Sequence, residues 1–172
     1  NRNMYDVAVI GSGAGGAVAA WRLQQQGARV LVIEKGGWAD PKRSKVSVFN
    51  HYYRDRGLLG GVGNLFIGIP TGQAVGGTTT INSGTCFETP PDVVTEWRQQ
   101  LGLEISYAEL IPHFQQLREL LSIQQVSEDR ISEGNRLFRK GLSHLGFHQH
   151  FPLERNERSC QGSGRCCFIC PT

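Results

Sequence analysis

Residues 6–35 read DVAVIGSGAGGAVAAWRLQQQGARVLVIEK, and this stretch decides the fold. Asp6 to Ile10 is a short apolar run, Gly11, Gly13 and Gly16 form a G-x-G-x-x-G, and Arg29 to Glu34 is a second apolar run ending in an acid. Strand, glycine turn, helix and strand in that order place the glycines in the setting a dinucleotide site needs. Each glycine has its own task. Gly11 lets the chain turn sharply out of the strand, Gly13 removes a Cβ where a pyrophosphate approaches the backbone, and Gly16 lets the helix lie close on the sheet. The pyrophosphate then meets unpaired N–H groups at the positive end of the helix dipole. Glu34 follows at the carboxyl end of the second strand, where a carboxylate accepts hydrogen bonds from both ribose hydroxyls and repels a 2′-phosphate. The bland alternative, glycines marking a tight turn and a solvated strand-end charge, leaves the spacing of acid, helix and strands unexplained. The motif alone does not separate FAD from NAD.

Working outward, 172 residues with 39% hydrophobic content, 22 Gly and 7 Pro read as a globular α/β chain with one substantial core. The net charge of +3 is small and interspersed, which argues against nucleic acid and membrane surfaces as partners. No apolar run approaches the ~20 residues of a membrane span; Leu58 to Pro70 is short and broken by glycines. No basic, apolar leader precedes Met4, and the chain starts almost at its first strand, which reads as trimming or truncation.

The first helix is predicted from about Gly13 to Gln26, with Ala14, Ala17, Val18 and Trp21 as its core face and Gly27 as its stop. Gly36 to Lys45 reads as a solvated loop carrying Lys42, Arg43 and Lys45. The aromatic run Phe49, His51, Tyr52 and Tyr53 reads as packing in preference to a substrate lid, and Gly57 to Gly63 as a tightly turning segment.

Residues 72–90, GQAVGGTTTINSGTCFETP, bring small side chains, bare backbone N–H groups and hydroxyls together over a short span. Such a surface suits a flat, polar-edged ring or a diphosphate. The two motifs in this order resemble the amino-terminal part of the GMC oxidoreductases, the FAD-dependent glucose–methanol–choline family that includes cholesterol oxidases. Residues 152–172, PLERNERSCQGSGRCCFICPT, resemble the cysteine-containing segment of bacterial members and long-chain alcohol oxidases. The resemblance implies a Rossmann-like FAD-binding domain. Gly11, Ser12, Gly13, Ala14, Gly15 and Gly16 would face the diphosphate, with Glu34 and Lys35 at the adenosine ribose. Gly76, Gly77, Thr78, Asn82, Ser83, Gly84 and Thr85 would run along the flavin side, with Cys86 near the ring.

The same resemblance implies an incomplete α/β fold, its last strands, substrate sheet and catalytic His lying beyond Thr172 in a carboxyl-terminal portion that this one needs. His113, His144, His148 and His150 match no part of that motif, so no catalytic residue is assigned. The expected organisation is an FAD-binding core over residues 1–90 and a helical segment with a Cys-rich loop over 91–172. Pro90 and Pro91 open a helix to Leu101; Ser106 and Glu109 form a capping box before Leu110, Phe114, Leu117 and Leu121, with Pro112 a possible bend; a third helix spans about Ile131 to Leu145.

Cys160, Cys166 and Cys170 are spaced C-x5-C-x3-C-P, close to the pattern of an iron–sulfur loop. Buried thiols, a disulfide from Cys160 to Cys166 or Cys170, and an adventitious zinc site stand beside that reading. Two classes of function follow. One is an FAD enzyme oxidising a small-molecule alcohol by hydride transfer to flavin, with oxygen or an external carrier as electron acceptor. The other is a non-catalytic FAD- or iron–sulfur-binding portion of a dehydrogenase. Clustered reduced thiols fit a cytoplasmic setting.

Overall fold

The structure, a computed structural model, describes residues 4–157 and 159–170. It divides into two compact units, one drawn from residues 1–83 with 163–172 and the other from 84–162.

The first unit begins with strand β1 (Val7–Ile10), helix α1 (Ala14–Gln25) and strand β2 (Val30–Ile33). The strands pair in parallel from Val7 opposite Val30 to Ile10 opposite Ile33, so α1 is the crossover of a βαβ unit. Asp6 latches the two strand starts together. Its Oδ2 accepts from the Arg29 backbone N–H at 2.8 Å and from Nε at 3.0 Å, while Oδ1 accepts from Nη2 at 2.8 Å. These bonds hold the Asp6 carboxyl well below the usual carboxylate range. Gly27, at φ +88, ends α1 as expected.

The face of α1 differs from expectation. Ala14, Ala17 and Val18 are exposed and Trp21 is half-buried, whereas Gly16, Ala20 and Leu23 are the less exposed set at i, i+4 and i+7. The register is set by Gly16, the residue that touches the strand side: a Cβ there would meet the Gly11 carbonyl, with Val9 Cγ1 3.4 Å away. The βαβ sheet holds two strands among the described residues and leaves Ile10 77% exposed. This βαβ unit is the Rossmann-like start that the sequence predicts.

Helix α2 (Lys45–Tyr52) was not anticipated. Ser44 caps it, accepting from the Ser47 N–H at 3.2 Å, and its Val48 and Tyr52 lie one turn apart. With Tyr53, Ala74, Ile81 and Ile169 they form the buried core of this unit, so Tyr52 and Tyr53 are packing, with Phe49 stacked on Tyr53 at 4.3 Å and His51 exposed. A turn with Asp55 and Arg56 in the left-handed region leads to the antiparallel hairpin β3 (Gly60–Val62) and β4 (Phe66–Gly68). Residues 163–170 dock on the α2 side of the unit. Arg165 Nη2 donates to the carbonyls of Arg43 at 2.7 Å and of Pro41 and Phe168 at 3.2 Å, and the Tyr53 hydroxyl donates to the Cys167 carbonyl at 2.7 Å.

The second unit carries α3 (Pro91–Leu101), α4 (Tyr107–Leu121), β5 (Ile123–Gln125), α5 (Glu133–His144) and β6 (Glu154–Asn156). The predicted capping box is present: Ser106 Oγ accepts from the Glu109 N–H at 3.3 Å and Glu109 Oε2 accepts from the Ser106 N–H at 2.7 Å. α4 runs through Pro112 without ending. β6 is the middle of three short extended segments, pairing with β5 on one edge and bridging Thr85 through Arg155 on the other. No helix is long and apolar enough to cross a membrane among the described residues.

Candidate dinucleotide site

The acid at the end of β2 organises one end of the site. Glu34 Oε2 accepts from the Ser12 backbone N–H and from the Ser12 hydroxyl, each at 2.8 Å, and Oε1 accepts from the Gly36 N–H at 2.8 Å. Stacking three donors on one carboxylate favours its charged form and pulls its pKa from 4.5 down to about 2, the Gly36 bond first, then the two from Ser12. The Lys35 backbone N–H adds a smaller contribution of the same sign, so the half-buried Glu34 is held on several sides by its own loops.

The glycine loop beside it is shaped as the motif requires. Gly11 turns the chain at φ +89, and Gly13 caps α1 in an extended conformation, its carbonyl accepting from the Ala17 N–H at 2.8 Å. Added Cβ atoms at Gly13 and Gly15 would meet nothing within 4 Å, whereas one at Gly16 would strike the Gly11 carbonyl. The loop is therefore closed toward the sheet and bare on the side from which a diphosphate would approach. Ala14 opens α1 and is exposed, as is Lys35 after β2.

The second glycine segment meets this loop. Gly76, at φ +93, donates its N–H to Ser12 Oγ at 2.9 Å, and a Cβ on Gly77 would come within 3.0 Å of Gly13 Cα. The segment is held from behind by the Tyr53 to Gly72 bridge, by the Gln73 N–H on the Tyr52 carbonyl at 2.7 Å, and by the Val75 N–H on the Gly37 carbonyl at 3.0 Å. Gly36 is pressed against the Gln73–Ala74 backbone, where no side chain fits. Gly36 thus serves both the packing and the acid, a role that its place directly after Glu-Lys could have signalled.

The threonine hydroxyls hold the turn itself. Thr79 Oγ1 donates to the Gly76 carbonyl at 2.6 Å, Thr80 Oγ1 donates to the Val75 carbonyl at 2.8 Å, and Thr78 Oγ1 accepts from the Gly72 N–H at 3.0 Å. They lock the 3-10 turn Gly77–Thr80 into shape. Asn82 and Ser83 follow it in the first unit, while Gly84 and Thr85 belong to the second, extended along β6.

The iron–sulfur reading lacks a geometric basis. No group of three or more His, Cys, Asp or Glu side chains placed to hold a metal occurs among the described residues, which include Cys160, Cys166 and Cys170. Close sequence spacing does not by itself converge thiolates on one point.

Comparison with known proteins adds the family. A model described as GMC oxidoreductase matches residues 49–172, and one described as NAD(P)-binding Rossmann-like domain matches residues 9–60. An uncharacterised GMC-type oxidoreductase of Mycobacterium tuberculosis is 32% identical over 172 residues, covering 97% of this chain and 27% of its own length. A long-chain-alcohol oxidase of Arabidopsis thaliana is 34% identical over 176 residues, covering 96% of this chain and 23% of its own. The fold is similar to that of pyridoxine 4-oxidase from Mesorbium loti, with a TM-score of 0.66 at 20% identity over 91% of this chain and 37% of that one. The chain thus spans about a quarter of the length of the curated relatives it matches.

Proposed function

Because this chain belongs to the GMC oxidoreductase family, we propose that it is the amino-terminal FAD-binding portion of an enzyme that oxidises CH–OH groups. The carrying observation is the junction of Ser12, Glu34 and Gly76 beside the bare loop at Gly13. Glu34 would accept a hydroxyl of the adenosine ribose on Oε1, and its charge would repel a 2′-phosphate. Gly13 and Gly15 would admit the diphosphate to the backbone at the start of α1, where the helix dipole favours negative charge. The Gly76–Gly77 turn, pinned to Ser12 and Gly13, would continue this surface toward the ring. Bound there, FAD would supply the hydride acceptor for the alcohol carbon.

The substrate, a small-molecule alcohol, and the electron acceptor, oxygen or an external carrier, belong to the proposal for the whole enzyme. So do a cytoplasmic setting and the carboxyl-terminal portion that would bring the base for the hydroxyl proton.

Equilibrium binding of FAD, ADP and NADP to the chain tests the site. FAD and ADP should bind and NADP should be rejected, with bound chromophore recovered as free FAD after acid release. Failure to bind either FAD or ADP, or equal affinity for NADP, would remove the proposal.

A further inference from the structure

Ser12 sits in the second position of the glycine motif, where the backbone alone usually carries the argument. Here the side chain is fully used by the protein itself. Its hydroxyl donates to Glu34 Oε2 at 2.8 Å and accepts from the Gly76 N–H at 2.9 Å, and its backbone N–H also donates to Oε2 at 2.8 Å. The three residues come from three separate segments: the loop leaving β1, the end of β2, and the turn before Gly77–Thr80. Gly76 N–H to Ser12 Oγ–H to Glu34 Oε2 is therefore one continuous chain of hydrogen bonds across the site. Hydrogen bonds in series polarise each other, and a bond to a charged acceptor is stronger than a neutral one.

Two further constraints make the link mechanical as well as electrical. Gly76 is in the left-handed region at φ +93, so its N–H direction is set by a conformation that other residues rarely adopt. Gly77 lies so close to Gly13 that a Cβ would come within 3.0 Å of Gly13 Cα, leaving the turn little freedom to slide along the loop. With Oε2 taking both Ser12 donors, the carboxylate is turned so that Oε1 faces the Gly36 N–H.

We propose that Ser12 is a positioning residue: its hydroxyl orients Glu34 for the adenosine ribose and couples occupancy of that end to the order of the Gly76–Thr80 turn at the other. This rests on the FAD reading for the identity of the ligand, although the hydrogen-bond chain itself exists without one. Ligand on Glu34 then stiffens the turn, and a disordered turn weakens the hold on ribose, as linkage requires.

The test uses the full chain with Ser12→Ala and Ser12→Thr, the latter keeping a hydroxyl in the same place. Three readouts are taken: carboxyl titration of Glu34 by NMR, amide hydrogen exchange at Gly76 with and without ADP, and ADP affinity. In Ser12→Ala the Glu34 titration should move up toward the ordinary carboxylate range, and Gly76 exchange should quicken about tenfold and lose its response to ADP. ADP affinity should fall about tenfold, the size of one hydrogen bond to a charged group. Ser12→Thr should restore all three, which a loss of packing alone would not do. An unmoved Glu34 titration with unchanged Gly76 exchange in Ser12→Ala overturns the proposal, as does ADP protection of Gly76 that persists without the hydroxyl. A parent chain that binds neither ADP nor FAD would instead sink the FAD reading and the ligand coupling, and the ligand-free titration and exchange would still decide whether Ser12 orients Glu34.

Discussion

A Cβ on Gly16 would land on the carbonyl oxygen of Gly11, so α1 is seated on the turn leaving β1 through a bare Cα. Gly16→Ala should push helix and loop apart at a site where the obstacle is backbone and cannot rotate away. Overpacking of this kind costs about 1–3 kcal/mol. An unfolding free energy from urea titration lowered by that amount, together with loss of FAD affinity, is the expected result.

Gly13→Ala separates binding from folding. Gly13 has φ −63, and a Cβ there meets nothing within 4 Å, so the substitution needs no rearrangement. Stability should stay within about 0.5 kcal/mol of the parent, as for a surface change. The methyl would occupy the approach to the backbone, so affinity for FAD and ADP should drop at least tenfold. Unfolding curves and binding titrations on one preparation would check both halves.

Acid should act on Glu34 in a defined window. Its folded pKa is depressed from 4.5 to about 2, so its stabilising contribution is complete above about 4.5 and is lost as pH falls toward about 2. Glu34→Gln lacks this titration. The stability difference between parent and variant should therefore shrink through that interval and be flat above it, as measured by urea unfolding at a series of pH values.

In the second unit, Arg118 and Glu154 form a two-pronged pair joining α4 to β6, Nη1 to Oε2 at 2.7 Å and Nη2 to Oε1 at 2.6 Å. The bonds to Glu154 raise the Arg118 pKa and lower that of Glu154. Both side chains are about one-third exposed, so solvent and salt screen the pair. A double-mutant cycle with Arg118→Met and Glu154→Gln should return a small favourable coupling at low ionic strength that shrinks at high salt.

The βαβ start, the loop at Gly11 to Gly16, the acid at Glu34 and the caps of α3 and α4 were legible because each depends on neighbours close in sequence: apolar runs, glycines that free φ, a serine three residues before a glutamate. The family resemblance was legible for the same reason, as ordered local motifs. Helix α2 was not, since its stability comes from Val48 and Tyr52 meeting Ala74, Ile81 and Ile169, contacts that no local window contains. The buried face of α1 does not follow its apolar residues because the close approach at Gly16 sets the helix register. Cysteine spacing suggested a cluster, yet convergence of thiolates is a property of three-dimensional placement. The sequence by itself determined which segments would be strand, turn and helix around the glycine motif, because dihedral freedom and hydrophobic period are local quantities. Only the tertiary structure decided that Ser12, Glu34 and Gly76 share one hydrogen-bond chain, because residues 64 positions apart meet through the packing of the segments that carry them.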